Sequence, residues 1–115
     1  MSTTWEKFQG ATVSLARSGS LKDRLADAYR NHLSAVAEEE LPREIREQFH
    51  NVCCSLTREQ PQRGEDAIRA TVRKMSSHEA ENIAETVVQM LSVMARSPQS
   101  AVRSVSAVPL YLLEA

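Results

Sequence analysis

Apolar residues recur at intervals of three and four along residues 80–94, and this spacing constrains the fold more than any other feature of the sequence. Such a repeat places the apolar side chains on one face of an α-helix. Ser76 and Glu79 precede it with the spacing of a capping box, which satisfies backbone N–H groups at a helix start. The sequence therefore predicts a helix from about Ser77 to Ala95. Its apolar face consists of Ala80, Ile83, Ala84, Val87, Met90, Leu91 and Met94.

Four segments upstream show the same helical spacing. The first begins at the capping-box pair Thr3 and Glu6 and ends at the RSGS turn, where Gly19 suits a left-handed cap and Ser20 suits the next helix start. The others are predicted at about 21–37, 42–58 and 65–74, with Glu38–Glu40 as a connection. Their apolar faces consist of Trp5, Phe8, Thr12, Leu15, Ala11 and Ala16; Leu21, Leu25, Ala28, Tyr29, Leu33 and Val36; Ile45, Phe49, Val52, Cys53 and Leu56; and Ala67, Ile68, Thr71, Val72 and Met75.

The composition agrees with an all-α fold. Glycine (3) and proline (4) are scarce among the 115 residues, and 42% of the residues are apolar. This length suffices for one domain with a hydrophobic core that needs neither a metal nor a disulfide. The sequence therefore predicts a compact bundle of four to five helices over residues 1–96, followed by a flexible linker and docking tail over residues 97–115.

Charge and cysteine content indicate where the protein works. The net charge of −1 provides no overall attraction to nucleic acid or to an anionic membrane. No apolar run approaches the length of a membrane span, and the first residues do not resemble a signal peptide. The two cysteines are adjacent and cannot build a secreted disulfide framework. We therefore expect a reduced, cytoplasmic protein that does not associate with membranes.

The HNVCC segment (50–54) is the one place where an imidazole lies beside thiols. His50 and Cys54 are four residues apart and can meet on one helical face. Zinc needs a third and usually a fourth ligand, and neither His32 nor His78 has a partner residue nearby in the sequence. Cys53 continues an apolar face, where a free cysteine packs as a small hydrophobe. We interpret the segment as packing, with a thiol or metal protein that uses His50 and Cys54 as the weaker alternative.

Residues 65–95 have the outline of a helix-turn-helix, which makes a DNA-associated regulator the main alternative function. The basic residues of its first helix are Arg69, Arg73 and Lys74. The second helix, which would have to read DNA, carries Glu79, Glu81 and Glu85. Because phosphate neutralisation supplies most DNA affinity, these carboxylates disfavour nucleic acid as a partner. Arg69 and Arg73, four residues apart, can instead grip a carboxylate, for example on the last helix.

Motifs of catalysis and of cofactor binding are missing from the sequence. It has no glycine-rich phosphate loop, no nucleophile elbow and no paired carboxylates on an apolar helix face. The sequence therefore predicts a non-enzymatic protein without a cofactor, and it identifies no small-molecule ligand.

The C-terminal segment is the strongest indication of a partner. Leu110, Tyr111, Leu112 and Leu113 follow a small, polar stretch and are costly to leave in water. They can dock on their own bundle or exchange across a dimer, which is an accessible route to self-association. We therefore predict an adaptor or regulatory module that acts through protein–protein contacts and forms a homodimer. The candidate partner-binding residues are Arg69, Arg73, Lys74, Leu110, Tyr111, Leu112 and Leu113.

Overall fold

The fold is all-α, as the sequence predicts. The computed structural model describes residues 3–96, which form five α-helices and two 3₁₀-helices and contain no strand. No helix within these residues is both long enough and apolar enough to cross a membrane. The α-helices are α1 (Thr4–Leu15), α2 (Leu21–Asn31), α3 (Arg43–Leu56), α4 (Ala67–Lys74) and α5 (Ser77–Arg96), and the 3₁₀-helices are η1 (Leu33–Ala35) and η2 (Glu38–Glu40).

Local side-chain caps fix most of the helix starts. Thr3 and Glu6 form a complete capping box at α1. The Ser20 hydroxyl accepts a hydrogen bond from the Asp23 backbone at α2, and Ser76 does the same for Glu79 at α5. These caps confirm three predicted starts. The fourth helix begins two residues later than predicted, because the Asp66 side chain caps it by accepting from the Arg69 backbone.

The second helix is shorter than the predicted 21–37. It ends at Asn31, the chain turns at His32, and η1 follows. Leu33 is still buried, although it lies in η1 and not in α2. The apolar spacing therefore could not distinguish the two helix types. The Lys7 ammonium donates to the carbonyl of Ala35 at 3.0 Å and stabilises this altered path.

The hydrophobic core draws on all five α-helices. The Phe8 and Phe49 rings, from α1 and α3, lie 5.7 Å apart in a tilted arrangement. Helix α1 packs against α2 and α5, whereas α4 packs against α2 and α3. The predicted face of α5 is confirmed. Its buried members are Ala80, Ile83, Val87, Met90 and Met94, and the half-buried Ala84 and Leu91 pack beside them.

Helix α1 has two features that its predicted apolar face does not include. Ala16 is exposed rather than on the apolar face, because α1 ends at Leu15. Gly10 has a packing role, since a Cβ atom there would lie 2.6 Å from Nδ1 and Cε1 of His32. The glycine that weakens α1 as a helix thus allows the His32 ring to lie directly against the α1 backbone. The predicted linker and tail, residues 97–115, lie outside the described residues.

Candidate functional site

The cations of α4 are held by acids of the same chain. Arg69 donates to Asp23 of α2 at 2.7 Å, and Arg73 donates to Glu65 at 2.8 Å. The Lys74 ammonium lies 3.5 Å from a Glu59 carboxylate oxygen. These partners precede α4 in the chain and do not belong to the last helix. Together with the Arg30–Asp66 pair at 2.9 Å, they form what we call the ion-paired surface. Its members are Asp23, Arg30, Glu59, Glu65, Asp66, Arg69, Arg73 and Lys74.

The electrostatics of the ion-paired surface follow from these contacts. The hydrogen bond from Arg69 lowers the pKa of Asp23, and the one from Arg73 lowers the pKa of Glu65. The Arg30 guanidinium likewise lowers the pKa of Asp66, which it binds through two nitrogens. Each cation therefore already has an anionic partner, so this surface offers little unbalanced positive charge to an external ligand.

The helix-turn-helix alternative gains little from the arrangement of α4 and α5. The two helices are joined at Met75 and Ser76, but α4 packs on α2 and α3 far more than on α5. Glu81 and Glu85 are exposed on α5, where they would face DNA phosphates. Glu79 binds the Arg58 guanidinium, which lowers the pKa of Glu79.

The histidine and cysteines of α3 belong to a cluster that includes a residue from η2. The Glu38 carboxylate accepts from Nδ1 of His50 at 2.9 Å. The other ring nitrogen, Nε2, lies 3.5 Å from Sγ of Cys54. Sequence reasoning identified the His50–Cys54 pair from its four-residue spacing. It missed Glu38, because a contact across 12 positions and a 3₁₀-helix leaves no periodic signal.

The two adjacent cysteines lie in different environments. Cys53 is half-buried and packs against the core, and Cys54 is exposed. Burial raises the pKa of Cys53 to about 11, with a further contribution from the nearby Glu38 carboxylate. Burial also raises the pKa of Tyr29, on α2, and the neighbouring thiols contribute to that shift. Within residues 3–96, no group of three or more histidine, cysteine or carboxylate side chains is arranged to hold a metal ion.

A second exposed region is defined by its lack of charge. Val13 on α1 is 50% exposed and Val88 on α5 is 43% exposed. No charged residue occurs in the sequence from Phe8 to Ala16 or from Thr86 to Ala95. Helices α1 and α5 pack together, and the exposed residues of these two stretches are all uncharged. We call these exposed residues the uncharged surface. Its exposed members are Gln9, Val13, Ala16, Val88, Gln89, Ser92 and Ala95.

The sequence-predicted partner residues fall into two groups. Arg69, Arg73 and Lys74 lie on the ion-paired surface. The tail residues, 110–113, lie outside the described residues and follow α5 in the chain. Sequence reasoning missed the two exposed valines, although the Val87-Val88 pair carried a signal. Consecutive residues on a helix point in directions about 100° apart, so both valines cannot lie at the centre of one buried face.

Comparison with protein-family models, with curated proteins and with solved structures finds no match to this chain. Its function therefore has to be inferred from its own residues.

Proposed function

We propose that this chain is a non-enzymatic adaptor or regulatory module that acts through protein–protein contacts and associates with a second copy of itself. The observation that carries the proposal is the uncharged surface on α1 and α5. Loss of charged residues is what distinguishes the core of a protein interface from the rest of a surface. The exposed Val13 and Val88 side chains provide apolar area that association would remove from water.

A second copy is the occupant that best fits this surface. In a two-fold symmetric dimer the same patch occurs on both subunits, so any charge at its centre would face or neighbour its own copy. A patch without charged side chains avoids that repulsion. In the sequence, residues 97–109 connect α5 to Leu110, Tyr111, Leu112 and Leu113. The apolar side chains of these four residues could also dock on a second copy, so that each copy receives the C-terminal segment of the other.

The oligomeric state tests this proposal directly. Sedimentation velocity of the full chain should give about twice the 12.8 kDa subunit mass. Val88→Glu places a charge in the uncharged surface and should shift the protein to the monomer. Asn82→Glu is the matched control, because it adds the same charge to an exposed position of α5 outside that surface. A wild-type chain that remains monomeric at about 100 μM would contradict self-association, because a dimer whose dissociation constant lies above that concentration is weak.

DNA binding remains the competing proposal, and the ion pairs of α4 argue against it. The arginines would have to leave Asp23 and Glu65 before they could neutralise phosphates. We expect no sequence-preferring binding to mixed DNA at physiological salt. Tight, salt-sensitive binding that is lost in the Arg69→Ala, Arg73→Ala double variant would favour the DNA-associated function instead.

We also propose that the protein works in the cytoplasm. Cys53 and Cys54 are both free thiols in the structure, and Cys54 is exposed. Free, exposed thiols persist in a reducing compartment, where glutathione and thioredoxin keep them reduced.

A further inference from the structure

Glu38 of η2 contacts His50 of α3, and His50 in turn contacts the exposed thiol of Cys54. An ionised carboxylate can only accept hydrogen bonds, so Glu38 fixes the proton of a neutral His50 ring on Nδ1. The unprotonated nitrogen, Nε2, is then the one that lies 3.5 Å from Sγ of Cys54. The thiol can donate its hydrogen to this nitrogen. A base oriented by a third group and placed beside a thiol is the arrangement that activates cysteine nucleophiles.

We propose that Cys54 is a modification site at which the protein forms a mixed disulfide with a low-molecular-weight disulfide, with His50 as the proton acceptor and Glu38 as its positioning residue. The site lies on the outside of α3, where a small molecule can reach Sγ. The His50 side chain is 58% exposed and the Glu38 side chain 45% exposed, so the reaction takes place at an open surface. An open surface suits modification by a small reagent better than turnover of a bound substrate.

The reaction balances without a further oxidant. His50 Nε2 takes the proton of the Cys54 thiol, and the thiolate attacks one sulfur of the small disulfide. A Cys54–S–S–R bond forms as the S–S bond of the reagent breaks, and the leaving thiolate takes the proton from His50 and departs as a free thiol. Cys54 is oxidised, and half of the small disulfide is reduced. A second small thiol reverses the step by attacking the mixed disulfide.

Cys53 serves as an internal comparison. Its pKa of about 11, raised from 9.0, lowers the thiolate fraction at neutral pH about 100-fold. A more basic thiolate is also a better nucleophile, and this higher reactivity offsets a factor of nearly ten (~10) of the ~100-fold loss in thiolate fraction. Cys53 should therefore react about tenfold more slowly than a thiol of ordinary pKa, and its partial burial slows it further. The two adjacent thiols thus differ in the contacts that govern reactivity.

The charged and titratable groups that interact with Cys54 or with its neighbours include residues of three elements. His50 and Cys53 share α3 with it, Glu38 comes from η2, and Tyr29 comes from α2. Of these groups, Glu38 carries a negative charge, which disfavours a nearby thiolate. His50 becomes positive when it accepts the thiol proton and so offsets that charge at the moment the thiolate forms.

The experiment measures reaction with 4,4′-dithiodipyridine, an uncharged disulfide whose released thione absorbs light. The first measurement is on the wild-type chain, with mass spectrometry of the labelled peptide to show which thiol has reacted. We expect the first label on Cys54. Kinetics then compare Cys53→Ala, which keeps only Cys54, with Cys54→Ser, which keeps only Cys53. The former should react at least about tenfold faster.

The role of His50 is tested in the Cys53→Ala background. His50→Gln should slow the reaction about tenfold, which is less than the roughly hundredfold or more typical of a proton acceptor, because the site is exposed. Glu38→Gln should slow it less, and Glu38→Asp should restore part of the rate. The pH–rate profile of Cys54 should also change shape in His50→Gln, because the proton acceptor is lost. His78→Gln, which removes an exposed histidine of α5, should change neither rate nor profile.

Two results would overturn the proposal. One is first labelling of Cys53, or equal rates for both thiols, in a protein whose circular dichroism is native. The other is a Cys54 rate and pH profile that His50→Gln leaves within about twofold of the parent, because the 3.5 Å contact would then have no chemical consequence.

Discussion

The ion-paired surface around α4 and the uncharged surface on α1 and α5 expose opposite kinds of side chain to water. In the first, charged side chains are abundant and each α4 cation has an acidic partner in the same chain. In the second, charged side chains are missing, and Val13 and Val88 remain exposed. A charge that is already paired needs no external partner, whereas exposed apolar area is reduced by acquiring one. The contrast is the reason for our proposal that a second copy binds at α1 and α5.

The largest expected effect comes from removing the tail that follows α5. At ~25 cal/mol per Å² of apolar area, four large side chains at 110–113 can contribute several kcal/mol before their ordering entropy is subtracted. Deleting residues 108–115 should lower the melting temperature if the tail docks on its own bundle, and should convert a dimer to a monomer if it crosses to the other copy. Thermal melting and sedimentation of the truncated protein distinguish the two. Unchanged stability and mass would show that the tail contributes nothing to either.

An intermediate effect is expected at the contact that holds α1, one of the two helices of the uncharged surface. Gly10→Ala gains up to ~1 kcal/mol of helix propensity, but it places a Cβ atom against the His32 ring, and overpacking costs ~1–3 kcal/mol. We expect a net loss of ~1–2 kcal/mol in the free energy of unfolding, measured in urea. The same substitution in a His32→Ala background should stabilise. If Gly10→Ala also stabilises the protein that keeps His32, then the close approach of the His32 ring to the α1 backbone does not require glycine at position 10.

The smallest effect is expected when acid weakens the ion-paired surface, together with the Arg58–Glu79 pair, whose carboxyl also has a lowered pKa. The folded pKa values of Asp23, Glu65 and Asp66 lie below their ordinary values of 3.8, 4.5 and 3.8. Groups with lowered folded pKa values stabilise the fold above their unfolded pKa, and this contribution is lost as pH falls through the folded pKa. Urea unfolding should therefore show constant stability from pH 7 to about pH 5 and a modest loss below about pH 4.5.

Glu65→Gln is the control for the acid effect, because it removes one titrating partner of Arg73 and keeps the size of the side chain. Its stability should depend less on pH in the acid range than that of the parent. A parent protein whose stability stays flat to about pH 3 would show that these exposed pairs contribute nothing measurable.

The helical content could be predicted because its causes are local. Side chains three and four residues apart meet on a helix, and the Thr3, Ser20 and Ser76 caps act within four residues of themselves. The end of α2 could not be predicted in this way. The turn at His32 depends on the ring lying against Gly10 of another helix, and the Lys7 bond to Ala35 also spans two elements. These contacts exist only after the helices have packed.

The contacts in the candidate sites are likewise either local in the sequence or formed only when elements pack together. His50 and Cys54 are on one helix face because of their spacing, and the sequence shows this directly. The Glu38 carboxylate reaches His50 only because η2 folds back onto α3, and Arg69 finds Asp23 across 46 positions only because α2 and α4 pack together. The sequence by itself determined an all-α fold of four to five helices, three of the helix caps and most of the buried faces, since these follow from local spacing. Tertiary structure decided which charges are paired and that Glu38 lies against His50, because these properties depend on distances between residues far apart in the chain.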